Sequence, residues 1–160
     1  NSWEGTEFEQ FGDALEAAVV LSVVSDGMPL LYNGQEAGNE RRLEFFERDP
    51  IEWREHPMGD LYRRLFALKR GTRALHNGAW GAPMTEVRTT ERDHVLAFVR
   101  VGDQDAVLAV VNLSDAEREV ELLRGPVTGT WRDFATGETL EVAPGTSLTL
   151  PAWGWRVLTR

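Results

Sequence analysis

Between Thr85 and Thr159 eight short runs follow one another: TEVRT, HVLAFVRV, AVLAVVNL, REVELL, VTGTWRD, ETLEV, SLTL and WRVLT. They recur every ~8–12 residues, with turn-forming stretches such as GDQD (102–105) and ATGE (135–138) between them. That spacing is the signature of an antiparallel β-sandwich. HVLAFVRV and AVLAVVNL are apolar on both faces, which places this hairpin at the centre of its sheet.

The first 71 residues read differently. FGDALEAAVVLSVVS (11–25) has helical composition, and AAVVLSVV is apolar nearly all round. A helix apolar on every side is one buried inside a larger body. Gly27 and Pro29 end it, and MPLLY (28–32) follows as a short strand with two apolar faces, the type found in parallel sheets. The strand delivers Asn33, Gln35 and Glu36 to one place. NERRLEFFERDPIEWREH (39–56) reads as a long loop. From Met58 to Arg70 a helical pattern returns, with Leu61, Leu65 and Leu68 on one face and Gly71 as a stop.

Helix, strand, long loop and helix make a piece of an α/β repeat that cannot close on itself. The expected fold is therefore α+β: a remnant of a (β/α)8 barrel over residues 1–71, then an antiparallel β-sandwich over residues 72–160. The first residues, NSWEGTEFEQ, read as the middle of a longer chain and carry no signal-peptide pattern.

Composition narrows the function classes. Net charge is −9. Residues 1–60 hold 14 acidic and 4 basic side chains, while residues 61–160 are nearly balanced with 12 and 13. An acidic chain without a basic stripe repels phosphate backbones and anionic lipid, so neither nucleic acid nor membrane is an expected partner. No apolar run approaches ~20 residues. There are no cysteines, which excludes thiolate chemistry.

Other motifs resolve into structural readings. His56, His76 and His94 lack metal-ligand spacing. Asp103-Gln104-Asp105 departs from a calcium loop and reads as a hairpin turn. Asn112-Leu113-Ser114 matches a glycosylation acceptor but reads as a strand end. No serine sits in a nucleophile elbow, and GQEAG is no phosphate-binding loop. Trp131, Trp153 and Trp155 are expected in strands, as core. Trp3, Trp53 and Trp80 are expected in loops, where an aromatic ring can stack on a sugar.

GMPLLYNGQEAG resembles the segment of α-amylase-type glycoside hydrolases in which the eighth barrel strand ends in a Gly-x-Pro…Tyr-x-Gly-Gln-Glu-x-Gly pattern. FFERDPIEW resembles the loop that follows, the helix to Gly71 the last barrel helix, and the region ending in LPAWGWRVL the family's C-terminal β domain. The resemblance implies a parent enzyme that cleaves α-glucosidic linkages of starch or maltooligosaccharides by a retaining mechanism. It also implies that this chain begins just after the Asn-His-Asp motif that carries the third catalytic carboxylate. Retaining glycosidases need two carboxyl groups about 5–5.5 Å apart, and the family supplies them from earlier strands. No catalytic residue is therefore assigned here, and the fragment is expected to be inert.

The resemblance makes Asn33, Gln35, Glu36 and Trp3 candidate substrate-cleft residues, and Glu36 a structural or cleft-wall carboxylate. It places the family's calcium in an earlier loop, so no metal or cofactor is expected on this chain. Helix 11–25 and strand 28–32 would lose their barrel neighbours, and self-association or repacking onto the β domain is expected. The competing reading is a non-catalytic carbohydrate-binding or structural β-sandwich module with a helical appendage.

Overall fold

The computed structural model describes residues 4–44 and 46–160. Its first helix, α1 (Glu7–Phe11), opens with a capping box: the Thr6 hydroxyl accepts from Glu9 N–H, and the Glu9 carboxylate accepts from Thr6 N–H at 2.8 Å. The helix expected over 11–25 is interrupted. Gly12 adopts φ 49°, ψ −126°, outside the right-handed region. A short 3₁₀ turn follows, and α2 (Leu15–Val24) carries the apolar run. The final helix, α3 (Pro57–Gly71), matches its expected position, with His56 as its cap and Pro57 at its first turn.

Met28–Tyr32 is not a strand in this structure: among the described residues it joins no sheet. A strand exists through hydrogen bonds to a neighbour, and none is at hand for this segment. Residues 39–56 hold no regular element among those described. Arg41 ties this loop together, pairing with both carboxylate oxygens of Asp49 at 2.6 Å and donating to the Pro50 carbonyl. That bidentate contact, followed by the Glu44 N–H, holds the Asp49 carboxyl below its usual range.

The β region agrees with its periodicity. Among the described residues nine strands form two antiparallel sheets. The six-stranded sheet has the order β1 (Thr85–Glu86), β3 (Val95–Val101), β4 (Ala106–Asn112), β9 (Trp155–Thr159), β6 (Gly129–Asp133), β7 (Thr139–Val142). The three-stranded sheet runs β2 (Arg88–Thr89), β5 (Arg118–Arg124), β8 (Ser147–Leu150). The run TEVRT thus divides between the sheets, with buried Val87 at the crossing. Trp131 is buried in β6 and Trp155 lies half-buried in β9. Trp153, expected in a strand, lies instead in the turn before β9 at φ 55°, where Gly154 N–H closes back on the Pro151 carbonyl.

Two apolar clusters explain the layering. One fills the space between the sheets and is built from inward residues such as Val99, Leu108, Leu122, Trp131 and Leu158. The other lies on the opposite face of the six-stranded sheet, where Phe98, Val107, Ala109 and Val157 meet α2 and α3. The molecule has three layers: small sheet, large sheet, helices. This is why all seven residues of β4 are buried, and why an all-round apolar α2 is stable here. α2 is packed on the β region and α3.

Candidate functional site

Asn33, Gln35 and Glu36 stand on a tight turn that begins at Tyr32 and closes at Gly38. Backbone bonds run from Gln35 N–H to the Tyr32 carbonyl and from Ala37 and Asn39 N–H to the Gly34 carbonyl. Two side chains serve the turn itself. The Gln35 amide oxygen accepts from Tyr32 N–H at 2.9 Å, and the Glu36 carboxylate accepts from Gly34 N–H at 3.0 Å. Gly38 adopts φ 64°, and a Cβ there would lie 2.5 Å from the His56 ring. From below, α3 supports the turn: a Cβ on Gly59 would sit 2.8 Å from the Glu36 carbonyl.

The structure brings Asn33 and Gln35 together but turns Glu36 away. Asn33 is exposed, and with Tyr32, Gln35, Glu7 and Arg41 it lines a narrow polar cleft. Glu36 instead lines an open polar groove of ≈ 630 Å³ with Arg54, His56 and Asp60. Trp3 lies outside the described residues.

Three supporting side chains were invisible to sequence reasoning. Arg54 donates to the Ala37 and Gly38 carbonyls at 3.1 and 2.6 Å. His56 Nδ1 accepts from Met58 N–H and its ring meets Phe8 edge-on. Buried Tyr62 has its hydroxyl pKa pushed up to about 12, chiefly by desolvation and then by Glu7 and Glu36. A lone arginine or histidine in a loop has no periodicity to mark it. The Thr6–Glu9 spacing, by contrast, is a readable capping signal.

Outside the turn, Met28, Pro29, Phe66, Arg70, His76 and Trp80 line an open groove of ≈ 910 Å³. Met28, Leu30 and Trp80 are each 83% exposed. In the β region the remaining motifs are structural. Asn112 is fully buried: its amide donates to the Ala116 and Pro151 carbonyls and accepts from Ser114, which closes it to glycosylation in the folded chain. Residues 102–105 form the β3–β4 hairpin turn, and the Asp105 carboxylate accepts from Arg73 and Ala74 N–H at 2.7 Å. Among the described residues no group of three or more His, Cys, Asp or Glu is arranged to hold a metal ion.

Residues 84–157 match the family model for the maltogenic amylase C-terminal domain. The match takes in 74 of the 160 residues, just under half of the chain. It spans β1 to β9 almost entirely, so the likeness falls on the sandwich described above. No curated protein matches the chain by sequence. Solved structures match most of it in fold. A noncanonic maltogenic α-amylase, AmyB from Thermotoga neapolitana, overlays with TM-score 0.76 at 17% identity, over 92% of this chain and 36% of its own. The α-amylase of Geobacillus thermoleovorans, complexed with acarbose, gives 0.73 at 17%, over 91% and 33%. A cyclomaltodextrinase gives 0.72 at 21%, over 97% and 27%.

These identities establish shared fold. The overlay includes the helical layer as well as the sandwich, and the chain spans about a third of the length of the first of these structures. The chain is thus similar to the C-terminal part of α-amylase-type enzymes.

Proposed function

We propose that the chain is part of a glycoside hydrolase that acts on α-glucosidic linkages of starch or maltooligosaccharides with retention of configuration. Residues 1–71 would end its catalytic barrel, with Met28–Tyr32 as a barrel strand, and residues 72–160 would form its C-terminal β domain. The nucleophile, the acid/base and the third carboxylate would come from barrel strands outside these 160 residues. Asn33, Gln35 and Trp3 would wall the substrate cleft, and Glu36 would hold the turn that carries them.

The observation that carries this reading is the state of Met28–Tyr32. The segment follows a buried helix, is apolar on both faces, has no ladder partner among the described residues, and borders an open groove. A parallel strand on that side would hydrogen-bond the segment and cover Met28 and Leu30 together. A free-standing sugar-binding module gives no reason for such a segment.

The test compares the 160-residue chain with the longer product of its gene, each incubated with maltooligosaccharides. The chain alone should release no sugar above a buffer blank. The longer protein should hydrolyse them, and its first product should be the α-anomer by NMR. Hydrolysis by the short chain, or β-anomer from the long one, would overturn the reading.

A further inference from the structure

The C-terminus of α2 is gripped by two buried cations from two different parts of the chain. The last carbonyls of a helix lack intrahelical donors and carry partial negative charge, so they favour cationic donors. Lys69, on α3, donates to the Val23 and Leu75 carbonyls at 3.2 and 2.8 Å. Arg100, on β3, supplies the rest. Its Nε donates to the Ala82 carbonyl at 2.7 Å. One terminal nitrogen donates to the Val24 and Ser25 carbonyls at 3.3 and 2.8 Å. The other reaches the His76 carbonyl at 3.0 Å and the Asp26 carboxylate at 3.1 Å. The guanidinium thus makes four hydrogen bonds to carbonyls, and Asp26 adds an ion pair. The side chain is 1% exposed. Gly81 closes the site, since a Cβ there would overlap the His76 carbonyl and come within 2.7 Å of Arg100 Nη2.

This arrangement has a direction. Two of the carbonyls that Arg100 holds, those of Val24 and Ser25, lie at the root of residues 26–38. Their far end, the Tyr32–Gly38 turn, is held by Arg54 and by α3. Between these anchors, Met28 and Leu30 are exposed and unladdered. Arg100 is therefore the anchor that belongs to the sandwich.

We propose that Arg100 is a positioning residue through which the β domain sets where the Tyr32–Gly38 turn stands. That the turn borders a substrate cleft rests on the function proposed above; the mechanical link does not. The planar fork of arginine is required, because lysine offers one compact charge and cannot hold four carbonyls and a carboxylate spread over three segments.

The chain has no cysteines, so two spin labels can be placed without background. One goes on exposed Asn33→Cys and the other on Thr139→Cys of β7. A control pair, Asp103→Cys with Thr139→Cys, lies within the sandwich. The expected result is a single narrow distance peak for both pairs, and loss of the narrow Asn33 peak alone in Arg100→Met and in the milder Arg100→Lys. Leu122→Ala, which weakens the inter-sheet core without touching the clamp, should leave both peaks narrow. An unchanged Asn33 peak in Arg100→Lys, or equal broadening of both pairs, would overturn the proposal. Sugar hydrolysis plays no part in this readout, so the link and the proposed enzyme can fail separately.

Discussion

Phe98→Ala tests the three-layer architecture most directly. Phe98 lies on β3 with its ring on the helical side of the large sheet, and it is 1% exposed. Its cross-strand partner on β4 is Ala109. That small residue leaves the space above the sheet to the phenyl ring, which α2 and α3 then cover. Neighbours tied into two helices and a sheet collapse poorly, so truncation leaves a cavity as well as losing the transfer energy. The expected cost is about 3–5 kcal/mol. For a chain of this length that corresponds to a fall in Tm of roughly 6–20 °C. Leu96→Ala is the internal control: same strand, same face, two residues away, but 38% exposed. It should cost roughly 1 kcal/mol or less. Urea unfolding followed by far-UV circular dichroism and by tryptophan fluorescence gives both values and checks that the two probes coincide. If Phe98→Ala costs no more than Leu96→Ala, the helical layer is not packed on the sheet as described.

Three further outcomes follow from buried or exposed groups. Tyr62 rises from an ordinary value of 10 to about 12, so the unfolded chain loses its phenolic proton first and stability should fall by roughly 3 kcal/mol between pH 10 and 12; tyrosinate absorbance in a Tyr32→Phe background should show the late titration, and a midpoint near 10 would refute it. Burial pushes the Asp133 carboxyl up, but the Thr136 N–H, the Arg156 guanidinium at 2.6 Å and the Ala135 N–H outweigh it and hold its pKa below the ordinary value. Its stabilisation is present above about pH 4 and lost as pH falls through the lower folded value, so Asp133→Asn should flatten the acid limb of a stability profile, and an unchanged limb would count against the pairing. Leu30→Asp, at an apolar position 83% exposed, should reduce any self-association of the 160-residue chain through this segment; sedimentation velocity showing the same associated species for both proteins would remove Leu30 from the contact.

The sandwich was legible because its signal is local. Eight β-prone runs with turn residues between them determine strands whatever surrounds them, and the two-sided apolar character of HVLAFVRV and AVLAVVNL pointed correctly to the sheet centre. What was not local was lost. TEVRT reads as one run but serves two sheets, a division set by which partners lie on either side of Val87. Helix 11–25 breaks at Gly12 because of a backbone angle that composition does not specify. Trp153 reads as part of a strand, yet its turn depends on a bond between Pro151 and Gly154.

The candidate site divides in the same way. The Gly-Gln-Glu-Ala-Gly turn is visible in sequence because its glycines and polar residues are adjacent. Its supports, Arg54 and His56, are distant in sequence and became visible only when the turn was placed against them. Met28–Tyr32 shows the converse. Its pattern is that of a buried parallel strand, but a strand needs a neighbour to hydrogen-bond, and among the described residues the segment joins no sheet. The segment runs between two anchored ends. Arg100 at one end and Arg54 at the other both donate to backbone carbonyls, and these contacts fix the two ends of the segment.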